Sequence, residues 1–220
     1  MNSLKTALIT SALALAAIQP ATANVVTSLS GGTVVSFPLE NYFGGGPVAF
    51  GPGITWSSTN ASNQGGSVFG YNDGYGFGGN GYWDLDMAGL NDSFQAYGVT
   101  DTMTFAFSTP LSAVGGFLNY VPGGNNPTIA VYDSTDTLIE SDSLSFLTGG
   151  GTDTGQFLGF EEGSADISYF TLTDAYVGIT NLTLNGTENS SVPDTASTLA
   201  LLGLGLAGIC LLGRRSLRTA

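Results

Sequence analysis

Between Asn24 and Ser191 the chain carries all but one of its 17 Asp and Glu residues, and no Lys, Arg, His or Cys. That inventory decides most of the available chemistry. Without His or Cys, neither a Ser-His-Asp nor a Cys-His arrangement can be assembled, and no His- or Cys-ligated zinc site can form. Without Lys, Schiff-base chemistry is closed. Carboxylate chemistry remains. Two carboxylates can cleave a glycosidic bond when the surroundings hold one of them protonated, and clustered oxygens can hold a hard cation such as calcium. Asp84 and Asp86, beside Asn80 and the carbonyls of Gly78-Gly79, are the most closely grouped calcium candidates. Asp133 and Asp136 come next, although turn chemistry accounts for both. No EF-hand pattern is present, and the plain alternative at each position is a solvated acid.

The other residues with a chemical use are aromatic. Ser67 to Asp86 alternates rings with glycine, and Tyr71, Tyr75, Phe77, Tyr82 and Trp83 could present a platform on which the apolar faces of sugars stack. The competing reading is that these rings cover one open end of the core while Gly supplies the bends. The same run is no phosphate cradle, because it lacks the Lys and the strand-to-helix setting of such loops.

Charge narrows the partners. The four basic residues are Lys5, Arg214, Arg215 and Arg218, all in the terminal segments. The body between them is a polyanion with nothing to neutralise phosphates, so nucleic-acid binding is excluded. Acidic polymers are repelled unless divalent cations bridge the two. The single Cys, Cys210, leaves no intramolecular disulfide.

These residues need a frame, and the composition points to strands. There are 33 Gly and few charged residues, with β-branched and aromatic residues in short runs. Strands are expected at 25–29, 33–37, 54–57, 102–107, 111–120, 128–133, 137–145, 155–160, 167–172 and 175–184. Met103, Phe105 and Phe107 fall on one face of their strand, Gly115-Gly116 suggests a bulge, and Asp133 to Asp136 suggests a hairpin turn. Ser108-Thr109-Pro110 is expected to end a strand, and Asn41 to Gly53 to be loop. In the last strand, Tyr176, Gly178, Thr180, Leu182 and Leu184 are expected on one face, with Val177, Ile179 and Asn181 on the other. Some ten short strands with turn signals between them give an all-β fold: a single antiparallel β-sandwich, jelly-roll-like, over residues 24–186.

The two ends are of another kind. Residues 1–23 read as a secretory signal peptide. Lys5 supplies the positive start, Ala7 to Ile18 the apolar region, and Ala21-Thr22-Ala23 a small-x-small site for signal peptidase that leaves Asn24 first. Residues 187–195 form a polar linker, 196–213 an uncharged stretch at the lower limit for a membrane helix, and 214–220 a basic tail. Arg214, Arg215 and Arg218 act as stop-transfer charges and place that tail in the cytoplasm, with the acidic domain outside. Asn60, Asn91, Asn181, Asn185 and Asn189 begin glycosylation sequons.

Motif, apolar span and basic end occur in that order, and the tail resembles the PEP-CTERM sorting signal of Gram-negative bacteria. Its Val-Pro-Asp-Ser-Gly variant is matched at Val192, Pro193, Asp194, Ser197 and Thr198, with Thr195 and Ala196 where Ser and Gly are usual. The segments at 104–117 and 155–160 are similar to segments carried by proteins of that group, whereas Thr180-Asn181-Leu182 lacks the Asp of their usual Asp-Asn-Leu ending. The resemblance implies export, recognition by an exosortase-type membrane protease, and association with the cell surface or exopolysaccharide. It implies no catalysis, and no cofactor is expected apart from calcium at the acids named above. The expectation is a non-enzymatic surface or matrix protein whose sandwich binds glycans, exopolysaccharide among them, or neighbouring matrix components. The alternatives are a carboxylate-based glycan-active enzyme and a purely structural or adhesive coat protein.

Overall fold

Side chains alternate between the two faces of a strand, so a period-two pattern builds one apolar face per sheet, and two such faces close on a core. The computed structural model describes residues 23–60, 66–70, 75–84, 86–91, 100–123, 126–174 and 176–185. The chain opens with β1 (Asn24–Val26), β2 (Thr33–Val34), β3 (Tyr42–Phe43), β4 (Val48–Ala49), β5 (Ile54–Ser58) and β6 (Gly66–Phe69). A small hairpin follows, β7 (Tyr75–Gly76) and β8 (Tyr82–Trp83), around a 3-10 turn at Gly78–Asn80. Then come β9 (Met87–Asn91), β10 (Asp101–Leu111), β11 (Ala113–Tyr120), β12 (Thr128–Tyr132), β13 (Leu138–Ser143), β14 (Gln156–Glu161), β15 (Ile167–Asp174) and β16 (Tyr176–Leu184).

Sheet one runs β1-β14-β11-β16-β9-β6-β3, with β2 also on β16; sheet two runs β13-β12-β15-β10-β5-β4. From β9 to β16 the chain changes sheet at every connection except the β12–β13 hairpin. Two antiparallel four-strand layers result, β14-β11-β16-β9 and β13-β12-β15-β10, which is jelly-roll connectivity. The remaining strands extend the layers or, as β7 and β8, lie outside them. The outermost strands β1, β3 and β4 are only two or three residues long, and β13 carries Glu140 and Asp142. Short or charged edges discourage pairing with other chains.

The core lies between the sheets. Met103, Phe105 and Phe107 face inward as their alternation predicts, and Phe160 on β14 meets Phe170 on β15 edge-on at 6.3 Å. Trp56, Leu118, Ile129, Leu172 and Ile179 are fully buried beside them.

Three expectations need correction. Ser108-Thr109-Pro110 does not end its strand: β10 continues to Leu111 through a register shift after Ala106, and a bulge is where a strand tolerates Pro. The region expected as loop at 41–53 contributes the two-residue strands β3 and β4. In β16 the two expected faces merge. Gly115 pairs with Thr183 and Phe117 with Thr180, so one extra residue must fit on β16. Asn181 takes it up with φ 50°, and a left-handed residue suits Asn. The bulge shifts the phase, so Val177 and Ile179 before it and Leu182 and Leu184 after it all enter one core.

Residues 1–22 and 186–220 lie outside the described residues. With them go the signal-peptide body, the sorting motif, the expected membrane helix and the Arg cluster. Among the described residues no helix is long and apolar enough to cross a membrane.

Candidate functional site

The glycine-aromatic stretch folds into a cap. Tyr75, Phe77, Trp83 and Met87 form a second apolar cluster with Val121 and Tyr176 against it. The cluster sits on the outer face of sheet one, opposite the main core. Glycine makes the floor: a Cβ on Gly178 would meet Phe77 Cζ at 2.7 Å, and one on Gly155 would meet Trp83 Cζ2 at 2.9 Å. Tyr75, Phe77 and Trp83 are at most 4% exposed, which takes them out of any stacking platform. Tyr82 is 43% exposed, and Tyr71 lies outside the described residues. The covering role is correct, but the rings cover a sheet face and not an open end.

Buried amides pin the cap. Asn119 Nδ2 donates to Asn80 O (3.1 Å) and Thr154 O (3.0 Å), and Asn80 Nδ2 donates to Tyr120 O (3.1 Å). Thr148 N donates to Asn80 Oδ1, and Trp83 Nε1 donates to Thr154 O at 2.6 Å. Satisfied networks of this kind specify one arrangement because breaking them strands buried polar groups. Burial pushes the Tyr75 phenol well up, helped by Tyr176 and Asp174, and its hydroxyl donates to Leu90 O.

Beside the cap the same face stays open. Phe117 on β11 and Phe157 on β14 meet edge-to-face with centroids 5.5 Å apart and planes at 85°. Phe117 is 42% exposed. They line a groove of about 740 Å³ together with Gln156, Asn181 and Thr183, and residues 27–34 cross as its opposite wall. No charged side chain lines it. Phe157 lies against the backbone because Gly115 has no side chain; a Cβ there would stand 3.0 Å from Phe157 Cε1. Sequence reasoning singled out neither ring, since each sits in an apolar run that reads as buried on both faces.

The acids do not gather as expected. Asp84 and Asp86 are exposed, and Asn80 is fully buried with its amide committed to Tyr120 and Thr148. Asp84 N donates to Asp153 Oδ1, and Asp86 O accepts from Thr180 Oγ1. Among the described residues no group of three or more Asp, Glu, His or Cys is placed to hold a metal ion. Asp133 belongs to its turn: Thr137 N, Thr135 Oγ1 and Thr135 N donate to its Oδ1, holding its carboxyl below the usual range. Asp101 and Asp174 face each other across β10 and β15, at 7% and 6% exposure. Buried so far, neither offers a surface that a glycosidic bond could reach.

At the N-terminal edge Ala23 is buried in the core cluster, and Asn24 is the exposed first residue of β1. Nearby, Glu162 is 6% exposed, and burial followed by the neighbouring Asp166 raises its carboxyl.

Comparison with known families concerns the tail. Residues 191–216 match a model described as the VPDSG-CTERM motif, a variant of the PEP-CTERM type of sorting signal. Such a signal points to export towards the cell surface and implies processing by an exosortase-type protease. No curated protein matches the chain. The chain therefore joins a surface-sorting signal to an acidic sandwich in which Phe117 and Phe157 line one uncharged groove.

Proposed function

We propose that this is a non-enzymatic cell-surface or matrix protein whose sandwich associates with exopolysaccharide through the Phe117–Phe157 groove. The carrying observation is that edge-to-face pair, Phe117 exposed and Phe157 half-buried, with no charge in the lining. Aromatic faces stack on the apolar faces of sugar rings, while Gln156, Asn181 and Ser28 supply donors and acceptors at the margin. A domain with no cation between residues 24 and 191 would repel an acidic polymer, so the ligand class is a neutral glycan. After export, signal peptidase removes residues 1–23. The C-terminal apolar stretch then holds the chain in the inner membrane, tail inward, until an exosortase-type protease acts near Pro193-Asp194.

Co-sedimentation with extracellular polysaccharide from the producing cells tests this reading. The wild-type protein should pellet with the polymer, and Phe117→Ala together with Phe157→Ala should leave it in the supernatant. Equal pelleting of both proteins would refute the groove.

A further inference from the structure

We propose that signal-peptide cleavage completes the fold electrostatically: the new α-ammonium of Asn24 seats against the buried carboxylate of Glu162. This rests on the reading of residues 1–23 as a signal peptide cut after Ala23.

The starting point is a carboxylate with no counterpart. Both oxygens of Glu162 are buried without a hydrogen-bond partner. The charge that acts on it is that of another acid, Asp166, whose own Oδ2 accepts from Ser164 Oγ. A buried carboxyl without a partner is costly and calls for a missing donor or ion. No side chain between residues 24 and 191 can supply a cation.

Strand register shows where one would come from. β1 pairs with β14 as Asn24 with Glu161, Val25 with Phe160 and Val26 with Gly159. One further antiparallel step sets Ala23 opposite Glu162. Two residues beyond Phe160, Glu162 shares its inward face, and Ala23 is indeed part of the same buried cluster. In the uncut chain Glu162 therefore faces a methyl group and a peptide. Cleavage adds water across the Ala23–Asn24 bond. The carboxylate product departs with the signal peptide and takes the Ala23 methyl away. The amine remains on Asn24, and it is protonated at neutral pH.

That ammonium carries three donors at the strand end flanked by Glu161 and Glu162, with Asp166 beyond. Charge-assisted bonds of this sort are about twice as strong as neutral ones. It is also the only positive charge available to the sandwich itself once the signal peptide has gone. The pairing of β1 with β14, already formed with Ala23 in place, would thus be strengthened by processing.

The sequence offers a clean test. Downstream of Asn24 there is no Lys, so the α-amine of the processed protein is its only primary amine. Full-length protein exported by its host is first checked by mass spectrometry for an Asn24 N-terminus. A different start refutes the cleavage reading itself and overturns the proposal with it. With Asn24 confirmed, the amine is acetylated and thermal melts are compared. Acetylation should lower the Tm of wild type and leave Glu162→Gln unchanged. In the unmodified proteins the amine should acetylate roughly tenfold faster in Glu162→Gln near neutral pH, the change expected when one unit of pKa elevation is lost. Equal acetylation rates, with an equal Tm change in the two proteins, would overturn the proposal while leaving the signal-peptide reading intact. Should Glu162→Gln fail to fold, titration of the wild-type α-amine decides: elevation above about 8 supports the pair, and an ordinary value refutes it.

Discussion

Gly159 and Gly115 stand opposite each other on the neighbouring strands β14 and β11 of sheet one, with Gly115 against the Phe157 ring. A Cβ on Gly159 would lie 2.3 Å from Val114 O and 2.5 Å from Gly115 Cα. Carbon atoms at rest approach to about 3.5 Å, so Gly159→Ala must push two hydrogen-bonded backbones apart by roughly an ångström. The atoms met are backbone and cannot rotate away. The cost therefore belongs at the upper end of overpacking, about 3 kcal/mol. For a domain of this size each kcal/mol moves Tm by about 2–4 °C, so a fall of roughly 6–12 °C is expected. Near-ultraviolet circular dichroism during heating reads it. Gly163→Ala is the control, because nothing lies within 4 Å of the added methyl and its Tm should stay within a degree or two. Gly115→Ala should be costly too and should also weaken glycan binding, since its methyl would displace Phe157. If Gly159→Ala melts with the control, the close pairing of β14 and β11 is wrong, and the placement of Phe157 falls with it.

Further outcomes follow from the cap and the turns. Asn119→Ala should lower stability by about 1–3 kcal/mol, because Asn80 O and Thr154 O each lose a buried donor; urea unfolding measures it. Asp133 sits below its ordinary range through donors from Thr137 and Thr135, so its stabilisation is present above the unfolded-chain pKa and lost as pH falls through the folded value. Asp133→Asn should therefore show a smaller loss of Tm between neutral and acid pH than wild type does. Tyr82→Ala, altering an exposed ring of the cap, should leave both Tm and polymer co-sedimentation nearly unchanged.

Much of the sandwich could be read in the sequence because its best strands are half-exposed. In β10, Thr102, Thr104 and Ala106 alternate with Met103, Phe105 and Phe107, and the structure buries the latter set. The hairpin of β12 and β13 was equally legible, through the Asp133 turn. Strand β9 was not. Met87, Ala88, Gly89 and Leu90 are all buried, with the core on one side and the cap on the other, so no alternation survives. The phase change in β16 escaped for a different reason: a left-handed Asn181 leaves no periodic trace. The glycine-aromatic stretch drew attention as a binding surface, yet its rings could reach a core of their own only because Gly89 and Gly178 leave the sheet face bare. Phe117 and Phe157 look like core residues in sequence and line a groove because the cap stops short of them. Only tertiary covering separates the two cases.

Calorimetric titration of the processed protein with neutral oligosaccharides from the exopolysaccharide, in the presence of chelator, tests the central claim most directly. Saturable binding is expected, weakened about tenfold by Phe117→Ala and again by Phe157→Ala, about 1.4 kcal/mol for each ring. Affinity unchanged in both variants, with their melting curves intact, would contradict it.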